Sequence, residues 1–181
     1  MASYVVKDSP AAEWLFSNTK SSWIWLLVRL YVGYQWVEAG WGKVMSDMWT
    51  GSQAGSVITK FALGSLTKTA GAHPDVPAWY AWFLTHCVVP YPQFWSFLVA
   101  YGELLVGIAL ITGFLTGIAA FFGVFMNANY LFAGTVSVNP ELLLLGILLM
   151  LAWKVCGHWG VDYYLLPNLG TPWSPGRMLS K

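Results

Sequence analysis

The chain has 181 residues, 57% of them hydrophobic and 9% charged, with a formal net charge of +1. Soluble domains carry about 25% charged residues, so this composition reads as a one-domain integral membrane protein. A charge so near zero leaves no electrostatic footprint for nucleic acid. The two cysteines, Cys87 and Cys156, are far apart and outside any CxxC spacing. Iron–sulfur and structural zinc centres need about four ligands, so neither is expected, and no other metal site is read.

Residues 1–20 are polar, with Lys7, Asp8, Glu13 and Lys20, and lack the apolar core of a cleavable signal peptide. They read as a cytoplasmic arm, with a short interfacial helix around Trp14–Phe16. The first span runs over 21–44 and includes WIWLLVRLYVGYQWVEAGWGKV. It is long enough to cross a bilayer, which takes about 20 residues at about 1.5 Å each, yet it holds Arg29, Glu38 and Lys43. Ionisable groups at such depth are costly and tend to face a bundle interior or a wet cavity. At about 100° per residue, Arg29 and Glu38 fall on opposite faces of this helix, while Arg29 and Lys43 nearly share one. Gly33, Gly40 and Gly42 permit close neighbours.

The long connection 45–93 is broken by glycines and prolines and cannot span. Two amphipathic pieces stand out, Gln53–Leu66 and Trp79–Val89, each too short to cross and suited to lying over the bundle mouth. The remaining spans are expected at 94–114, with Glu103 as its one charge, at 116–136, with Asn127 and Asn129, and at 140–156, opened by Asn139-Pro140-Glu141. The tail 157–181, with Trp159, Tyr163, Tyr164 and Trp173, reads as interfacial. The fold class expected is therefore an all-α membrane protein: a four-transmembrane-helix bundle (residues 21–156) with short amphipathic helices in its long connection.

Four spans put both termini on one side. Lys7, Lys20, Lys154, Arg177 and Lys181 would then face Lys43, Lys60 and Lys68 across the membrane, and the excess of positive charge places the termini in the cytoplasm. Glu38, Glu103, Asn127 and Asn129 come out at a common depth of roughly 12–15 Å below the outer ends of three spans. Buried Asn residues also serve as plain glue between helices, at about 0.6 kcal/mol each. Two carboxyls and two amides at one level read instead as a pocket in which one carboxyl stays protonated. Such a pocket beside aromatic walls suits a quinone, whose reduction takes up two electrons and two protons. A bis-histidine haem is not expected, because His73, His86 and His158 lie outside the span interiors. His86-Cys87 reads as a small buried cysteine on an interfacial helix or as a redox thiol.

The pattern R-x3-G-x6-G-x2-K (Arg29, Gly33, Gly40, Lys43) and the segment YGELLVGIALITGFLTG resemble the DoxX-like superfamily of small four-helix membrane proteins. GYQWVEAGWGKV, MNANYLFAGTVSVNP and LAWKVCGHWGVDYYLLP are more similar to its DoxD branch, the membrane subunit of thiosulfate:quinone oxidoreductase. The resemblance covers about residues 22–173. It implies oxidation of thiosulfate to tetrathionate, with electrons passed to membrane quinone in the plasma membrane, and a small DoxA-like partner. On that reading Glu38 and Glu103 are catalytic. Arg29, Lys43, Asn127, Asn129, Tyr34 and Trp41 hold the quinone, and Lys60, Lys68 and His86 attract the dianionic substrate. The alternative is a non-catalytic accessory subunit of a larger respiratory or photosynthetic membrane complex, with lipid and its neighbouring subunits as partners.

Overall fold

A computed structural model describes residues 8–170, and every described element is helical. The chain order is α1 (Pro10–Ser17), α2 (Ser22–Val44), α3 (Asp47–Thr50), α4 (Ser56–Leu66), α5 (Ala78–Phe83), α6 (Pro92–Thr112), α7 (Thr116–Phe132), α8 (Asn139–Leu151), α9 (Trp153–Cys156) and α10 (Asp162–Asn168). Ser9 caps α1 by accepting from the Ala12 amide, and Pro10 opens the helix. The short helix docks back on α2, where Phe16 stacks on Trp25 and the Trp25 indole donates to the Leu15 carbonyl at 2.8 Å.

The antiparallel pair α2–α6 is the backbone of the bundle, and its seam is made of glycines. Gly40 lies on the Glu103–Leu104 backbone, Gly107 on Val37, and Gly33 on Leu110 and Ile111. A Cβ at Gly40 or Gly107 would overlap the facing main chain, so only glycine permits this approach. Gly42, by contrast, faces open space. Trp25, Val32, Trp36, Val106, Leu110, Ala119, Ala120, Leu142 and Leu149 fill the core between this pair and α7–α8.

The connection forms a second core over one end of the bundle. Ile58, Ala62, Val76, Tyr80, Leu84 and Val88 pack together and against Ala133, just past the end of α7. Here the helix expected over 79–89 is α5 followed by a π-helical turn, Leu84–Val88. Below, α6 stops at Gly113 in the left-handed region (φ 70°), and Leu115 (φ 46°) leads into α7. Asp162 caps that turn from α10, accepting from the Leu115 amide at 2.6 Å and the Thr116 amide at 2.8 Å.

The elements differ from expectation in several places. Helix α7 ends at Phe132 rather than at 136, because Gly134 (φ 69°) and Ser137 (φ 42°) turn the chain left-handed before Asn139. The last span is split into α8 and α9, and α3 and α10 were not foreseen. Trp173, Lys7, Arg177 and Lys181 lie outside the described residues. By length and composition, Pro92–Thr112 is the described helix that can cross a membrane, with mean hydropathy 1.9, while Thr116–Phe132 and Asn139–Leu151 are apolar but shorter. Large apolar side chains nonetheless cover the outside of all three, among them Leu105, Ile108, Phe121, Phe125 and Leu144. A water-soluble monomer does not sustain so broad an apolar exterior.

Candidate functional site

The inward face of α2 reads Trp25, Arg29, Val32, Gly33, Trp36 and Gly40, at helical spacing. Lys43 continues this stripe three residues beyond Gly40. On α6 the buried residues are Ser96, Ala100, Glu103, Val106, Gly107 and Leu110, which aims Glu103 at the same axis. Helix α7 contributes Asn127 and, one turn on, Tyr130. These three helices converge on a single carboxylate.

Glu103 is 2% exposed and both of its oxygens are engaged. Lys43 Nζ lies 2.5 Å from Oε2, and the Tyr130 hydroxyl donates to Oε1 at 2.5 Å. A cation on one oxygen and a phenol on the other are strong, charge-assisted partners, which is what keeps a buried carboxylate tolerable. The Lys43 side chain is 22% exposed, so the array reaches the protein surface along this side chain. That group sits 5.3 Å from the Trp49 ring centroid, a cation–π distance. Trp49 is held in turn by the Ser96 hydroxyl, which donates to its carbonyl at 2.7 Å. Phe61 of α4 meets the Tyr130 ring edge-on at 6.2 Å between centroids. The site is thus a carboxylate–ammonium–phenol array under an aromatic roof.

Asn127 is fully buried on the same face of α7, and neither atom of its amide has a partner among the described residues. Asn129 points elsewhere. Its Nδ2 donates to the Phe125 carbonyl, and its Oδ1 accepts from the Tyr80 hydroxyl of the connection at 3.2 Å. Burial pushes the Tyr80 phenol up to about 12.

The expected pairing of Glu38 with Glu103 is not formed. Glu38 is exposed on the side of α2 opposite the core, together with Tyr34 and Trp41. Its depth is close to that of Glu103 but its direction is reversed, because it lies half a turn of azimuth from Arg29, which is buried. Arg29 is also apart from the array, about 21 Å away along α2. It donates to the Trp159 carbonyl at 2.8 Å and is packed between Gly113 and Gly160, with Asp162 as the nearby counter-charge. Of the residues read as attracting substrate, Lys60 is exposed on α4, Lys68 is tied to the Gly134 carbonyl at 2.7 Å, and His86 stacks on Trp82 at the surface. Tyr130, Trp49, Tyr80 and Asp162 were missed. Tyr130 carried a usable signal, since it stands three residues after Asn127 and so shares its face.

A family model for DoxX matches residues 24–135, well over half of the chain, and takes in Arg29, Lys43, Glu103, Asn127 and Tyr130. The chain belongs to the DoxX family. No curated protein and no solved structure matches it. The DoxX match accounts for the apolar exterior: this is a membrane protein. It ends at residue 135, so α8, which packs along α7, and α9 and α10 beyond it lie outside the matched region.

Proposed function

We propose that this DoxX protein is the membrane subunit of an oxidoreductase that passes electrons from thiosulfate, or a related sulfur compound, to quinone. The observation that supports this reading is the buried Lys43–Glu103–Tyr130 array beneath Trp49 and Phe61. Four spans, α2, α6, α7 and α8–α9, cross the plasma membrane with both termini in the cytoplasm, and the connection covers the outer mouth. A DoxA-like subunit is the expected partner.

The residues present fit a quinone headgroup. The Lys43 ammonium offers a donor to a carbonyl oxygen, the Asn127 amide has a donor and an acceptor without partners among the described residues, and aromatic rings supply flat apolar walls. Quinone, when bound, supplies an acceptor for two electrons and two protons. Glu103 is the acid–base group of the site, its carboxylate oriented by the Lys43 ammonium at one oxygen and by the Tyr130 hydroxyl, which donates to the other. Lys43 compensates the charge of Glu103 and, being partly exposed, connects it to the outer side. Two thiosulfate dianions joining through one S–S bond to give tetrathionate release the two electrons required. Lys60 and His86, exposed on the connection, favour the approach of such an anion.

Thiosulfate-dependent quinone reduction by the purified chain in liposomes tests this. Glu103→Gln keeps the fold but lowers the rate by about 10²-fold or more, the usual contribution of a positioned acid or base. An unchanged rate in Glu103→Gln would overturn the assignment. The second reading, a non-catalytic accessory subunit, is favoured by one observation: a carboxylate, Glu38, exposed on the outward face of α2.

A further inference from the structure

The outward face of α2 is built from Leu27, Leu30, Tyr31, Tyr34, Glu38 and Trp41, all exposed. Down its middle runs a chain of polar contacts. Gln35 donates to the Tyr31 hydroxyl at 3.2 Å, and Tyr31 donates to Glu141 of α8 at 2.7 Å. Glu38 makes no hydrogen bond or ion pair among the described residues, and it lies about 9 Å below the end of α2 at Val44. Among the described residues, the face therefore carries two carboxylates, Glu38 and Glu141, and no Lys, Arg or His. A carboxylate aimed at lipid from within a span is costly, and such residues normally meet a partner.

We infer that this face docks a transmembrane helix of another subunit that carries a basic side chain level with Glu38. The inference rests on the reading of α2 as a membrane span. Charge complementarity selects the occupant. A second copy of the chain packed about a twofold axis normal to the membrane would set Glu38 against Glu38, two like charges in a medium of low dielectric. Lipid tails offer no counter-charge at that depth. A Lys or Arg does, with the Tyr34 hydroxyl and the Gln35 amide beside it to complete the hydrogen bonds. Leu27, Leu30 and Trp41 supply the apolar contact around the pair, in the manner of a desolvated centre with an excluding rim. The docked subunit lies on the side of α2 away from Glu103, so it leaves the buried array untouched.

The test uses the full chain, donor-labelled and reconstituted in bilayers with an acceptor-labelled synthetic Leu/Ala host helix. The host carries Lys, Leu or Glu at the position level with Glu38. Energy transfer should show the Lys host associating about tenfold more tightly than the Leu host. Glu38→Gln should remove that preference, and Glu38→Lys should transfer it to the Glu host. Equal association of all three hosts, or a Lys preference that survives Glu38→Gln, overturns the inference. So does efficient cross-linking of Glu38→Cys chains to one another, the mark of a second copy on this face. Labelling of the Glu38→Cys thiol by a water-soluble maleimide separates the two layers of the argument. Rapid reaction places the face in water and removes the span reading itself, while slow reaction without host preference removes only the docking.

Discussion

At the scale of single residues, the array is asymmetric in what it tolerates. Removing Lys43 leaves Glu103 buried without its cation, so Lys43→Met should cost about 3–5 kcal/mol of stability. Thermal unfolding in detergent would register it as a large fall in midpoint, and Lys43→Met with Glu103→Leu should recover most of the loss. Asn127 predicts the opposite pattern. Its amide is buried without partners, so Asn127→Leu, of similar volume, should raise stability by about 1–3 kcal/mol. If the amide serves the quinone headgroup, the same variant should raise the KM for quinone while leaving kcat nearly unchanged. Depth was legible for these residues from span boundaries alone, which is why Glu103 and Asn127 could be picked out. Azimuth was legible too, since Arg29 and Lys43 share a face and Glu38 opposes it, but nothing in the sequence says which of the two faces is buried. Tyr130 was passed over because a tyrosine near a span end reads equally well as an interfacial residue.

At the scale of elements, the α2–α6 seam and the docked connection are separately testable. Gly40→Ala should disrupt the helix pair, because the added Cβ meets the Leu104 main chain, which cannot move aside. Gly42→Ala, on the same helix but facing open space, should be neutral or gain up to about 1 kcal/mol from helix propensity. Comparing the unfolding midpoints of the two variants checks the seam directly. The connection is held by Tyr80 on Asn129 and Lys68 on the Gly134 carbonyl. Burial raises the Tyr80 phenol to about 12 from an ordinary 10, so the neutral form is the one that packs. Docking is therefore complete below about pH 10 and weakens as pH rises from about 10 towards 12, where an undocked Tyr80 ionises and a docked one does not. Hydrogen exchange of α4 should accelerate over that window, and Tyr80→Phe should flatten the dependence. The helices themselves were largely legible from apolar run length and from Gly and Pro punctuation. The π turn, the split between α8 and α9, and the capping of α7 by Asp162 were not, since each depends on contacts made across the bundle.

At the scale of the molecule, the four-span reading makes a topological prediction. A cysteine at Ser52 should react with an impermeant thiol reagent in intact cells, and one at Asn168 should react only after the membrane is opened. The reverse pattern would invert the topology and place the array near the cytoplasmic side.

The bundle is two pairs rather than four equivalent helices. Helices α2 and α6 are fused along glycines, and α7 packs chiefly on α8. Lys43 and Glu103 thus belong to one pair of helices, whereas Tyr130 belongs to the other. Across the thinner seam between the pairs, Glu103 is therefore held by the hydrogen bond from the Tyr130 phenol, and the ion pair does not bridge it. The charged partners lie together on the glycine-fused seam, in surroundings where separating them is most expensive.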